Sequence, residues 1–161
     1  MASEWTAIRL GDVTRFTSGG TPSKENLSYW VNSIDEDGSI LADKLTKIPD
    51  FVHEGMLKRS IIHVNDVLYT IAGTIGRIAI AQEWMLPANT NQAVAIIRPK
   101  SEIPAWFLVL TMRHEVFRQQ LHANIVHAVQ ANLSLGMLSK AQCVVPTDET
   151  LPGHTRIHCG P

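Results

Sequence analysis

Val67-Leu68-Tyr69-Thr70-Ile71 and Arg77-Ile78-Ala79-Ile80-Ala81, separated by a stretch containing Gly73 and Gly76, decide the fold. Both runs are rich in residues that favour strands, and two glycines between them interrupt the pattern. The spacing predicts a strand, a turn and a second strand. Upstream, Ile61-Ile62-His63-Val64 runs into Asn65-Asp66, a natural turn pair. Downstream, Pro87 to Asn91 reads as a loop, and Gln92 to Arg98 as a further strand stopped by Pro99. Residues 61–99 are the clearest β region of the chain.

Outward from this centre the signals change. Ile8 and Leu10 alternate with polar neighbours as in a half-buried strand, and Leu10 to Val13 reads as a short helical turn. Ser18 to Ser23 is a loop by composition. Lys24 to Trp30 reads as a short helix or irregular turn, residues 32–50 as a polar stretch with an acidic turn, and Phe51 to Ser60 as a short helix. Pro104 opens a helix in which Trp106, Val109, Leu110, Met112, Val116, Phe117 and Leu121 recur at three- and four-residue spacing. That pattern predicts one amphipathic helix of four or five turns, with Trp106 in the core. Residues 124–132 are loop-like, Leu133 to Leu138 reads as a short helix, and Gln142 to Pro146 as a final strand. Core packing is also the expectation for Trp30 and Trp84, with base stacking as the alternative.

At 161 residues, 45% hydrophobic and 18% charged, the chain can bury a core without metal or disulfide staples. No apolar run is long enough to span a bilayer, and residues 1–5 lack the features of a signal peptide, so a cytoplasmic location is expected. Cys143 and Cys159 read as reduced thiols. Fourteen basic residues against fifteen acidic ones leave a net charge of −1, which predicts weak phosphate-driven affinity for any nucleic acid and help from a partner protein.

Several stretches, taken in order, resemble one family. Trp5 with Leu10-Gly11-Asp12-Val13, Ser18-Gly19-Gly20-Thr21-Pro22-Ser23 followed by Tyr29-Trp30, Gly73-Thr74-Ile75-Gly76-Arg77, and Thr90-Asn91-Gln92 are similar to segments of the target recognition domains of type I restriction-modification specificity subunits. The 104–121 helix, Ala131-Asn132-Leu133-Ser134 and the strand ending at Pro146 fall at that family's later positions. The resemblance implies an α+β domain with a strongly bent, mostly antiparallel sheet and flanking helices. It implies sequence-specific reading of double-stranded DNA as one half of a specificity subunit, without catalysis, metal or cofactor. Its implied partners are double-stranded DNA and the methyltransferase and restriction subunits of a type I system. Residues 1–146 are expected to form the recognition domain, with 147–161 a flexible or truncated tail. Two departures accompany the resemblance. The segment after Trp30 is shorter than usual, and Thr147 to Gly153 replaces the start of the partner-binding helix, which puts assembly with a methyltransferase in doubt. A protein-interaction module, or an orphan or truncated domain without independent DNA reading, is the alternative.

Base edges are read by amide, hydroxyl and cationic side chains, and phosphates are held by N–H groups, hydroxyls and cations. In the Ser18–Lys24 loop, Ser18, Gly20, Thr21 and Lys24 suit a phosphate contact; the alternative is a turn that positions Tyr29 and Trp30. Arg77 either reaches a groove or is a solvated hairpin residue. Asn89 is an amide that can pair with adenine or satisfy local backbone. His127, Gln130 and Asn132 read as a DNA-facing loop, with a plain surface loop as the alternative; His122 and His127 lack the zinc-protease spacing. No nucleophile elbow, dinucleotide fingerprint, P-loop or methyltransferase motif is present, so the chain is not expected to be an enzyme.

Overall fold

The computed structural model describes residues 5–20, 29–31, 34–40, 45–100, 103–125 and 132–146. The order begins β1 (Trp5–Arg9), α1 (Leu10–Val13), β2 (Thr14–Ser18), β3 (Tyr29–Val31) and β4 (Thr46–Lys47). A π-helical turn (Val52–Met56) and a 3-10 turn (Lys58–Ser60) follow, then β5 (Val67–Thr70), β6 (Ile78–Ile80), β7 (Ala88–Thr90) and β8 (Val94–Pro99). Helices α2 (Ala105–Arg113), α3 (Glu115–Ile125) and α4 (Leu135–Lys140) precede β9 (Gln142–Pro146).

The central sheet has the order β2-β8-β5-β6, antiparallel throughout. Its inner strands read as unbroken apolar runs because both faces are covered. Val67, Tyr69, Ile78, Ala95 and Ile97 share a core with Leu108, Met112, Phe117, Leu121 and Leu138 of the helices. The alternate residues Leu68, Ala79, Val94 and Ile96 pack with Val31, Ile34, Ile62, Met85 and Ala88 on the other side. Each such buried aliphatic side chain contributes about 1.5–3 kcal/mol of transfer free energy. A three-stranded sheet, β4-β3-β7, borders this second core; its β3–β7 pair is parallel, and the other strand pairs among the described residues are antiparallel. In the third sheet β1 pairs with β9, so Trp5 lies opposite Pro146 and the first and last described strands close on each other.

The α+β architecture with mainly antiparallel sheets is as expected. Several details differ. The single long helix is two, because His114 is extended (φ −65, ψ 141) after α2. Its Nδ1 accepts from the Val116 N–H at 3.3 Å, and its carbonyl accepts from Phe117 and Arg118, so it caps α3. Trp106 is 47% exposed rather than core, since Ala105, Leu108, Val109 and Met112 form the inward stripe of α2. Trp106 instead meets Phe107 edge-on at 5.8 Å. Trp84 is 56% exposed, while its neighbour Met85 fills the core position. The stretch expected as the 87–91 loop contains β7, whose partner β3 lies far away in sequence. Cys143 is buried, and Cys159, the Trp30 side chain and the 147–161 tail lie outside the described residues. Among the described residues no helix is long and apolar enough to cross a membrane, and no group of acidic, His and Cys side chains is arranged to hold a metal.

Candidate nucleic-acid interface

One end of the central sheet gathers most of the described candidate residues. Its register pairs Ser18 with Ala95, Val94 with Thr70, and Tyr69 with Ile78. Three connections therefore emerge side by side at that end: Gly19-Gly20 after β2, Asn91-Gln92-Ala93 before β8, and Ile71 to Arg77 between β5 and β6. Asn132 joins them through an antiparallel bridge to Ala72, and the Leu133 N–H donates to the Ile71 carbonyl at 2.8 Å. The exposed side chain of Asn132 is thereby fixed on the hairpin.

The hairpin owes its shape to Thr70 and two glycines. Gly73 (φ +70) and Gly76 (φ +97) adopt the left-handed region that side-chain-bearing residues avoid. Thr70 is buried; its hydroxyl donates to the Thr74 carbonyl and accepts from the Arg77 N–H at 2.9 Å. The Arg77 guanidinium leaves the hairpin toward the 34–36 segment. Its Nη1 donates to the Ile34 carbonyl at 2.9 Å and its Nη2 to the Glu36 carboxylate at 3.2 Å. The Ile34 bond anchors the side chain. The pair with Glu36 is solvent-facing and contributes little, so that N–H can exchange its partner for a phosphate oxygen.

The Gly19-Gly20 turn lies against Thr90-Asn91. The Gly19 N–H donates to the Asn91 carbonyl at 3.2 Å, and the Asn91 side chain accepts from the Ala93 N–H at 2.9 Å. Ser18 and Gly20 are half-buried and share a shallow pocket with Met56, Leu57, Arg59 and Ser60. Arg59 and the adjacent Lys58 are exposed, and their side chains make no ion pair among the described residues. Sequence reasoning missed this cation pair: it belongs to no motif, and its place beside β2 is made by tertiary contacts such as the Thr17 hydroxyl donating to the Arg59 carbonyl at 2.8 Å.

Asn89 is a correction. It is fully buried, and its amide is committed to the interior. Its Nδ2 donates to the Leu57 carbonyl at 2.9 Å and approaches the Ser60 hydroxyl at 3.2 Å, while its Oδ1 lies 2.6 Å from His53 Nδ1. A side chain with no exposure cannot reach a base edge; Asn89 builds the support beneath the turn. Thr21, Lys24, His127 and Gln130 lie outside the described residues.

The comparisons with known proteins agree on one kind of domain. The family model of the type I restriction modification DNA specificity domain matches residues 2–150. A solved chain from work on complex assembly and conformational transition of the type I R-M system superposes with a TM-score of 0.64 at 15% identity, covering 91% of this chain and 35% of its own. The HsdS subunit from Thermoanaerobacter tengcongensis gives 0.61 at 16% identity, covering 88% and 33%. The S subunit of the type-I restriction-modification system from M. genitalium gives 0.60 at 11% identity, covering 91% and 36%. At these identities the likeness is one of fold, and the chain spans about a third of the length of each structure. A comparison with the curated proteins gives no match.

Proposed function

The chain belongs to the type I restriction-modification DNA specificity domain family, and from that premise we propose that it reads one half of a split double-stranded DNA site in a specificity subunit. The observation that carries the proposal is the convergence of Ser18, Gly20, Arg77 and Asn132 on one end of the central sheet. A rigid, doubly covered sheet holds three adjacent connections there, which is the arrangement that base reading by loops requires. Arg77 and Lys24 hold phosphate; Ser18, Gly20 and Thr21 offer hydroxyls and backbone N–H groups to the same strand. Asn132, Gln130 and His127 face base edges. The chain performs no bond chemistry. Methyltransferase and restriction subunits supply it, in the cytoplasm, and they add the affinity that a net charge of −1 withholds.

Binding to duplex DNA by single-residue variants tests this reading. Arg77→Ala and Lys24→Ala weaken binding to all sequences and flatten its salt dependence. Gln130→Ala and Asn132→Ala change the preference between sequences by roughly 1–3 kcal/mol per lost base contact. If neither set changes binding, the proposed surface is wrong. The alternative, a protein-interaction module, has one observation in its favour. Trp5, Leu110, Val116 and Val144 are exposed around a groove that Phe107, Phe117 and Cys143 also line. Unchanged DNA binding in all four variants favours that alternative.

A further inference from the structure

The π-helical turn beside the Gly19-Gly20 connection, with the residue that precedes it, exposes two large apolar side chains. Phe51 is 77% and Met56 is 72% exposed. The turn closes through the Leu57 N–H to the Val52 carbonyl at 2.9 Å, five residues apart. That spacing sets residues five apart on successive turns of one side. Val52 and Leu57 are buried with Ile48 in a small core of their own. Phe51 and Met56, each one residue earlier, form the outward counterpart.

The turn is firmly based. Its carbonyl at Leu57 accepts from Asn89 and from the Ser60 hydroxyl, and His53 bonds Asn89. The exposed pair therefore sits on a fixed platform. Met56 lines the same shallow pocket as Ser18, Gly20 and Arg59, and the exposed cations Lys58 and Arg59, which make no ion pair among the described residues, follow immediately. π-Turns within helical segments concentrate at functional sites. Asp50 and Glu54 are exposed on the same segment, so it is not a uniformly cationic strip. Apolar side chains flanked by cations suit duplex DNA: thymine methyls and base steps accept Phe and Met, and phosphates accept Lys and Arg.

Resting on the DNA-reading function proposed above, we infer that Phe51 and Met56 form an apolar base-contacting patch, with Lys58 and Arg59 as its phosphate anchors. The patch extends the reading surface from the sheet end onto the π-turn. It contributes to discrimination between sequences, whereas the two cations contribute to affinity for any duplex.

The test is duplex binding by the full chain, measured over a salt series on its selected sequence and on a scrambled one. Phe51→Ser/Met56→Ser is expected to weaken the selected complex at least about tenfold, with the scrambled complex and the salt slope unchanged. Lys58→Gln/Arg59→Gln is expected to weaken both complexes and to reduce the salt slope by about 2. Both pairs are exposed, and unchanged urea midpoints verify that the fold persists. If Phe51→Ser/Met56→Ser leaves the selected complex unchanged while Asn132→Ala weakens it, the patch is overturned and the DNA reading stands. If the parent chain prefers no sequence, both fall.

Discussion

The Gly19 N–H donates to the Asn91 carbonyl, and a Cβ on Gly19 would lie only 1.4 Å from the carbonyl oxygen of Thr90. The two segments that stand out as motifs, one rich in glycine and one in amides, are thus halves of a single contact. Gly19→Ala must force them apart, and a loss of about 1–3 kcal/mol in urea unfolding is expected. Gly136 in α4 is the contrast: a Cβ there meets nothing closer than the Ser134 hydroxyl at 3.8 Å. Gly136→Ala is expected to stabilise the protein by about 0.5–1 kcal/mol.

Asn89→Ala removes one donor to the Leu57 carbonyl and the partner of His53. The Leu57 carbonyl keeps the Ser60 N–H and hydroxyl, so the loss is that of the amide's own hydrogen bonds and of the partner of half-buried His53, about 1–2 kcal/mol. Urea denaturation at neutral pH checks this. Because Asn89 supports the π-turn, the variant is expected to lose sequence preference as well as stability.

Asp66 and Arg98 form a structural pair at the opposite end of the sheet. The Asp66 side chain is almost fully buried, and Arg98 reaches it through Nε at 2.8 Å and Nη2 at 2.7 Å. Its other bond runs from Nη2 to the Ile61 carbonyl at 3.1 Å. Arg98→Ala leaves a buried carboxylate uncompensated, and a loss of roughly 2–3 kcal/mol is expected, at the low end for such pairs because Arg98 is partly exposed. Arg98→Lys keeps the charge and loses the fork, so it falls between. Neither changes which DNA sequence is preferred, which separates a stability residue from a reading residue.

Burial pushes the Cys143 thiol up to about 11 and the Tyr69 phenol up to about 12, from ordinary values of 9.0 and 10.0. Both groups hold their protons more tightly in the folded chain. Their contribution to stability is fully present below pH 9, begins to be lost above it, and is gone once pH passes about 11 and 12 respectively. Urea midpoints should therefore fall between pH 9 and pH 11, and Tyr69→Phe should reduce the part of that fall above pH 10. In a Cys159→Ser background, Cys143 is expected to resist a thiol reagent at pH 8 until the protein unfolds.

The central sheet was legible because strands buried on both faces leave apolar runs such as 67–71, and Gly73 and Gly76 mark the hairpin between them. The helix pair was not. Ala105 to Met112 is apolar on nearly every side, so spacing alone could not tell that Trp106 faces out. The break at His114 comes from a side-chain cap, with no proline or glycine to announce it. For the site, composition pointed to the Ser18–Gly20 and hairpin segments, and their meeting depends on strand register between residues far apart in sequence. Asn89 misled because an amide that satisfies buried backbone has the same composition as one that reads adenine. Lys58 and Arg59 carried no motif, and the place of Arg59 beside Gly20 became visible only in the fold, where its carbonyl bonds the Thr17 hydroxyl of β2.

Selection of bound duplexes from a random DNA pool, at low and at moderate salt, tests the central claim most directly. A recognition half is expected to recover one short motif of about three to five base pairs at both salts, with sequence preference surviving when phosphate contacts are screened. Recovery of unrelated sequences at low salt only, or of none at either salt, contradicts the claim that this chain reads DNA.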